Sequence, residues 1–206
     1  NGKTTLLHLV AAQLADEARY SHHANSSYGI PFDILGLARK TLMINEWVKL
    51  FLKAPFLAFT RVPKQKIYIV EADCDRPGEG KFLSTFLKPQ VTIWLSSGRT
   101  HSMNFDKLVE QGKFPNVEQA IAHEYGYFLK ETDELVIYNS DSELIKKQAF
   151  RTKVKKVAIS NRSLQEYEVS KSGSIFKINN RVYEFKFLLP EAVSYSISAV
   201  LNLAEY

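Results

Sequence analysis

The sequence predicts an α/β fold: a mainly parallel sheet flanked by helices, with a small antiparallel β extension near the C-terminus. Three observations carry this reading. KIYIVEAD (66–73) and VTIWLSS (91–97) contain apolar runs without a polar break, as strands of a parallel sheet covered on both faces do. Segments of helical periodicity alternate with them, which is the rhythm of strand–helix–strand units. After residue 151 the rhythm changes to apolar–polar alternation punctuated by turn residues, the pattern of antiparallel hairpins.

Taken in order, the chain opens on NGKTTLLHLV. Gly2-Lys3-Thr4 is the closing half of the phosphate-loop pattern G-x-x-x-x-G-K-[ST], so the chain is expected to start inside that loop. Leu6, Leu7, Val10 and Leu14 then recur at helical spacing. The motif thus sits at a helix N-terminus, where backbone N–H groups and the positive end of the helix dipole favour phosphate. On this basis the expected α/β arrangement is P-loop NTPase-like. HANSSYGIP (23–31) reads as a turn, followed by a helix from about 31 to 54. KIYIVEAD is the first strand, RPGEGKFLSTFLK (76–88) a turn and short helix, and VTIWLSS the second strand, leading into the loop GRTHSMNF. A helix at about 116–130 precedes ELVIYNSD, a third strand with a polar end, and a short helix starts at 142. VKKVAIS, QEYEVSK, SIFKIN and RVYEFKFLL form the expected antiparallel sheet, with turns at Asn161-Arg162-Ser163, Ser172-Gly173 and Asn179-Asn180. That sheet is expected to extend the main one. AVSYSISAVLNLAEY is a closing helix that ends without a capping signal. There is no internal repeat and no low-complexity tract.

Bulk properties bound the function. The 206 residues, 45% of them hydrophobic, suffice for one large domain or two small ones with a real core. The 27 basic and 22 acidic residues leave a net charge of only +5, with no basic run interleaved with stacking aromatics, so no nucleic-acid partner is expected. Cys74 is the single cysteine, which excludes an internal disulfide and a cysteine-rich metal site and fits a reducing, cytoplasmic compartment. The first residues read as an element in progress rather than a signal peptide. One stretch, INEWVKLFLKAPFLAF (44–59), is apolar and aromatic, but Lys49 and Lys53 interrupt it and Pro55 breaks it. It is too short and too charged to span a bilayer. Two readings stay open: peripheral membrane contact through Trp47, Leu50, Phe51 and Phe56, or plain packing against protein.

Open α/β sheets bind ligands at the carboxyl ends of their strands. Glu71 and Asp73 follow the first strand, Ser96 through His101 the second, and Asn139 and Asp141 the third. A phosphate loop works with a divalent cation, and hard oxygen ligands such as a strand-end carboxylate suit magnesium. Singly, each residue has an ordinary structural reading, the carboxylates solvated or ion-paired and the histidine structural. Their convergence on one sheet edge beside a Gly-Lys-Thr is what points to a nucleotide site.

These motifs, in fixed order from Gly2 to Asp141, resemble the central, ATP-binding domain of the Mur ligases, most closely the UDP-N-acetylmuramoyl-tripeptide D-alanyl-D-alanine ligase type. NGKTT looks like the end of that family's phosphate loop, and NSSYGIP is similar to its Asn-rich substrate loop. IVEADCDRPGEGKFLSTFLKPQVTIW is the closest stretch, with the acidic strand end, the Pro-Gly-Glu turn and the Lys-Pro before the next strand. GRTHSMNF, NVEQAIAHEYGYF and VIYNSD follow in the family's order. The resemblance implies that 1–206 is a Mur ligase central domain, truncated at its phosphate loop, with the N-terminal substrate domain and the C-terminal domain outside it. It implies an ATP-dependent amide ligase: ATP phosphorylates a substrate carboxylate, an amine attacks the acyl phosphate, and phosphate leaves. The expected substrates are a UDP-muramoyl peptide and a D-Ala-D-Ala type amine, the cofactors ATP and Mg2+, and the acting species a monomer. By position, Gly2, Lys3, Thr4 and Thr5 would hold the nucleotide phosphates, with Lys3 on the β/γ-phosphates and Thr4 on magnesium. Glu71 and His101 would support metal ions and the chemistry, Asn139 would help hold the adenine, and Asn25 would lie near the substrate.

The departures are specific. Tyr125 stands where the family carries a carbamylated lysine, and Tyr127 where it carries an acidic residue; a phenol, with a pKa of about 10, is a poor magnesium ligand at neutral pH. Ser96 replaces a common strand-end Asn, PEAVS lacks the family's His, and the stretch 39–65 is longer than usual. The alternatives are therefore a working ligase with one magnesium on Thr4, Glu71 and His101, or a non-catalytic nucleotide-binding or scaffold module. A ligase for another carboxylate, such as a folate-type polyglutamate, is a weaker third.

Overall fold

The computed structural model describes all residues except 1, 22, 23, 39, 42, 62, 63, 100 and 101, and the side chain of residue 102. It divides into two compact units, Asn1–Val10 with Cys74–Tyr206, and Ala11–Asp73.

In the larger unit, β3 (Val91–Trp94), β4 (Leu135–Asn139) and β5 (Lys155–Ile159) form a parallel sheet in that order, with Val91 opposite Leu135 and Leu135 opposite Lys155. The central strand explains the unbroken apolar run LVI. Leu135, Val136 and Ile137 are fully buried, and alternate side chains face opposite sides of the sheet. Leu135 and Ile137 pack with Leu95, Ile159 and Ala199 of α8 (Val193–Ala204), joined by Leu6 of α1 (Lys3–Leu14). Val136 packs with Trp94, with Ala122 and Leu129 of α6 (Val117–Lys130), and with Ile145 and Ala149 of α7 (Glu143–Ala149). Asn116 starts α6 by accepting the Gln119 N–H at 2.9 Å, and Ser142 starts α7 by accepting that of Ile145 at 3.5 Å. Two further helices, α4 (Glu79–Leu87) and α5 (Asp106–Glu110), complete this side: Gly80 of α4 lies against the Glu124 backbone, and Phe105 before α5 packs on Ala120 and Ile121.

The last strands form a separate antiparallel sheet, β6 (Leu164–Ser170), β7 (Gly173–Ile178) and β8 (Arg181–Phe185). Asn179 and Asn180 turn the β7–β8 hairpin with φ of 50° and 63°, the left-handed pair that a two-residue turn requires. Phe176 and Ile178 pack on Val193 and Ile197, so α8 serves both sheets. Its buried Ser194, Ser196, Ser198 and Ala199 are small enough to let backbone and sheet approach closely.

Two expectations change here. VKKVAIS is not part of the antiparallel sheet: it is β5, parallel to β4. As an edge strand it leaves Lys155 and Lys156 exposed, so it shows a half-solvated alternation that a central parallel strand would not. The antiparallel sheet is also not an extension of the main one, because no ladder joins them.

In the smaller unit, β1 (Ala18–Ser21) and β2 (Ile67–Val70) form a two-stranded parallel sheet, with Ala18 opposite Ile67 and Ser21 opposite Val70. The parallel strands therefore fall into two sheets rather than one, and β2 is half-exposed rather than buried throughout. The sequence reading passes over β1, because ARYS is short and carries a charge. That charge has a partner: Arg19 pairs with Asp33 at 2.9 Å, and Asp33 also accepts the Tyr68 hydroxyl at 2.8 Å. The expected helix at 31–54 is two helices, α2 (Gly29–Ile34) and α3 (Ile44–Thr60). Gly36 ends α2 with φ 67°, its N–H bonding Asp33 O and that of Leu37 bonding Phe32 O, both at 2.8 Å. Pro55 does not stop α3, which runs on to Thr60 despite a cost of about 3 kcal/mol for an interior proline. Inward-facing Trp47 and Leu50 anchor it: Leu50 is buried, and the Trp47 ring lies 6.0 Å from those of Tyr28 and Phe32. Among the described residues, no helix is long and apolar enough to cross a membrane.

Candidate active site

Gly2 immediately precedes α1 and adopts φ 92°, a conformation that favours glycine. Its carbonyl accepts the first helical bond, from Leu6 N–H at 2.9 Å, and a second from Ser196 Oγ at 3.4 Å. A Cβ there would meet Ser196 Oγ at 3.4 Å and Leu95 at 3.8 Å, so the backbone angle, rather than space, selects glycine. Buried Leu7 and Val10 seat the helix, leaving Thr4 exposed and Lys3 and Thr5 half-exposed at its start. The first turn of α1 contains no acidic residue, so the positive end of its dipole and the Lys3 charge reinforce each other.

Leu95, whose side chain would lie 3.8 Å from a Cβ on Gly2, is held at its carbonyl by Asn139. The Asn139 Nδ2 donates to Leu95 O at 2.8 Å, and its Oδ1 accepts the Asp141 N–H at 2.9 Å. The buried amide thus fixes the ends of β3 and β4 beside the Gly-Lys-Thr turn, while each of its polar atoms retains capacity for one further bond. Asp141 Oδ2 in turn accepts the Tyr195 hydroxyl at 2.8 Å and the Asn161 N–H at 2.7 Å. Burial, and then the Asp141 carboxylate, push the Tyr195 hydroxyl up to about 12. Sequence reasoning missed Tyr195 and Asn161. No local motif marks them, since each meets Asp141 only through the fold.

In the smaller unit, Asn25 and Glu71 come together at the carboxyl ends of β1 and β2. The Glu71 N–H donates to Ser21 O at 3.2 Å, and two residues on the Asp73 N–H donates to Asn25 O at 2.8 Å. Both side chains are half-exposed. Gly2, Lys3, Thr4, Thr5 and Asn139 belong to the larger unit, and Asn25 and Glu71 to the smaller. His101 lies outside the described residues.

The two tyrosines are held by the protein. The Tyr125 hydroxyl oxygen accepts the Cys74 N–H at 3.2 Å, and its ring lies 5.8 Å from that of Trp94. The Arg151 guanidinium sits 4.5 Å above the Tyr127 ring. His123, beside them, is lowered below the usual imidazole value by burial and by Arg151. Between the tyrosine-bearing turns, the buried Glu124 carboxylate accepts the Lys81 N–H at 3.1 Å in the first turn of α4.

Among the described residues, no three His, Cys, Asp or Glu side chains converge as a metal site. The donors the sequence names still suit magnesium chemically: an exposed Thr4 hydroxyl and a half-exposed Glu71 carboxylate are hard oxygens. The helix start with its left-handed glycine and Lys3 suits a phosphate.

No protein-family profile and no curated protein sequence matches the chain. Solved structures do match. A crystal structure of MurF from Acinetobacter baumannii aligns with 100% of the chain, at a TM-score of 0.69 and 13% identity. A second crystal structure of MurF from that organism covers 100% at 0.64 and 12%. The structure of UDP-N-acetylmuramoylalanyl-D-glutamyl-2,6-diaminopimelate–D-alanyl-D-alanyl ligase from the same organism covers 99% at 0.65 and 12%. The chain has a MurF-type fold. It spans 40%, 40% and 41% of the lengths of these three chains, respectively. At such identity the likeness to MurF is one of fold, and it agrees with the resemblance carried by the motifs from Gly2 to Asp141.

Proposed function

We propose that this chain is the central, ATP-binding domain of an ATP-dependent amide ligase of peptidoglycan precursor synthesis, P-loop NTPase-like in its nucleotide site. The observation that carries the reading is the Gly2-Lys3-Thr4 stretch at the start of α1, with Asn139 holding the Leu95 carbonyl at the strand ends, in a chain that aligns over its whole length with MurF structures. Lys3 and the N-terminus of α1 would bind and orient the nucleotide phosphates, and the resemblance gives Thr4, Glu71 and His101 as the residues that would support magnesium, which when bound neutralises phosphate charge. Gly2 and Thr5 shape the phosphate turn, and Asn139 orients the adenine while holding the loop at Leu95. Asn25 lies on the substrate side, beside the strand that carries Glu71. The substrates are a UDP-muramoyl peptide carboxylate and D-Ala-D-Ala. Catalysis consists mainly of positioning the carboxylate against the γ-phosphate and the amine against the resulting acyl phosphate. The protein acts in the cytoplasm as a monomer.

A second reading, a nucleotide-binding module without ligase activity, is favoured by Tyr125 and Tyr127. Both phenols are engaged in packing and neither offers the oxygen that a lysine-derived carbamate would. Mass spectrometry separates the two. The full-length protein, given ATP, magnesium, UDP-muramoyl tripeptide and D-Ala-D-Ala, is expected to yield the joined pentapeptide product. ATP binding without product would establish the module instead, and neither binding nor product would remove both readings.

A further inference from the structure

Helix α3 carries a second apolar side that faces outward. Trp47, Leu50, Ala54 and Leu57 face inward at helical spacing, whereas Ile44, Val48, Leu52, Phe56 and Phe59 lie on the opposite side. Their exposures are 81%, 52%, 75%, 68% and 92%, so five large apolar side chains on this helix are left in water. Pro55 lies on the same outward side and is exposed. A stripe of this kind along 17 residues is about 25 Å long, far beyond a scattered surface leucine.

The charges around it indicate the occupant. Lys49 and Lys53, four residues apart and both exposed, run along one edge of the stripe. Exposed Lys40 precedes the helix, and exposed Arg61, Lys64 and Lys66 follow it. Glu46 is the one acid between Ala38 and Lys66. Its carboxylate is turned to the protein, accepting the Lys40 and Thr41 N–H groups at 2.7 and 2.6 Å. Lys49 and Lys53 thus put cationic charge along one edge of an apolar stripe, within a segment from Ala38 to Lys66 whose one acid is engaged by backbone N–H groups. Lysine is depleted in protein–protein interfaces, but its long stem lets the ammonium reach a headgroup while the neighbouring face is buried. The helix is too short to span a bilayer.

We propose that the outward face of α3 docks onto an anionic lipid bilayer, lying in the plane of its headgroups, independently of what the nucleotide site does. The apolar residues enter the acyl boundary while the surrounding lysines meet lipid phosphates. This moves the membrane-facing residues away from Trp47 and Leu50, which hold the helix to its own unit, to Leu52 and Phe59.

The test is sedimentation of the full-length protein with phosphatidylcholine vesicles, with and without phosphatidylglycerol, at low and high salt. The expected result is binding to the anionic vesicles that weakens with salt. Leu52→Glu with Phe59→Glu is expected to reduce partitioning more than tenfold. Lys49→Glu with Lys53→Glu should do so as well, at about fivefold or more per lysine. Both pairs are solvent-exposed, and circular dichroism would verify that each variant folds. Failure to sediment with anionic vesicles, or binding unchanged by Leu52→Glu with Phe59→Glu, would overturn the proposal. So would a concentration-dependent dimer, abolished by that pair in the absence of lipid binding, which would assign the face to a second copy of the chain.

Discussion

Tyr195 and Asp141 show how a single hydrogen bond joins distant parts of the candidate site. The phenol donates to the carboxylate across 54 residues of sequence at 2.8 Å, which keeps Asp141 oriented beside Asn139. A tyrosine normally ionises near 10.0, and here burial first and Asp141 second raise that to about 12. The folded state favours the protonated phenol. Its stabilising contribution is therefore complete below pH 10 and is lost as pH rises through about 12. The urea midpoint of the parent protein is expected to fall more steeply between those pH values than that of Tyr195→Phe, and parallel slopes would contradict this. Asp141 and Asn139 were legible in the sequence as the polar end of a strand, and Gly2 as part of the phosphate-loop pattern. Tyr195 was not, because a tyrosine on a late helix carries no sign of which loop it will meet. Nor could spacing show that Trp47 faces inward while Leu52 and Phe59 face water, since both sides of α3 are apolar.

The contact between α4 and α6 rests on a missing side chain. A Cβ on Gly80 would lie 2.4 Å from the Glu124 carbonyl oxygen, 2.9 Å from its carbon and 3.1 Å from Cys74 Sγ. The first two are backbone atoms, which cannot swing aside. Gly→Ala inside a helix ordinarily stabilises by up to about 1 kcal/mol. At Gly80 the sign reverses: Gly80→Ala is expected to cost about 1–3 kcal/mol through overpacking, measured by urea unfolding. A stabilised variant would show that the two helices do not approach as described. The segment itself, RPGEGKFLSTFLK, was readable as a turn and helix from Pro77-Gly78 and the apolar spacing. So were β2, β3 and β4, marked by apolar runs, and the helices that became α6 and α7. Elements whose identity depends on neighbours were not. β1 becomes a strand by pairing with β2, and the direction of β5 is defined only by its pairing with β4. The end of α2 was signalled by Gly36 but masked by the apolar residues on either side.

Across the whole molecule, the fold was legible as a sequence of strands and helices but not as a set of sheets. Apolar runs say that a strand is buried and say little about which sheet buries it. The parallel strands form two sheets and the late strands a third. Helix α8 reconciles the parallel and antiparallel sheets of the larger unit, burying Ala199 on one and Ile197 on the other. Its alanines, leucines and valines made it readable as a helix, while its double role emerges only from packing. The central functional claim is that the Gly-Lys-Thr turn at α1 drives ligation. Its most direct test is phosphate release from ATP by the full-length protein. Release is expected only when a UDP-muramoyl tripeptide and D-Ala-D-Ala are both present, and Lys3→Ala should reduce it at least a hundredfold, on the order of losing one transition-state charge contact. Release that persists in Lys3→Ala, or that ignores the two substrates, would contradict the account.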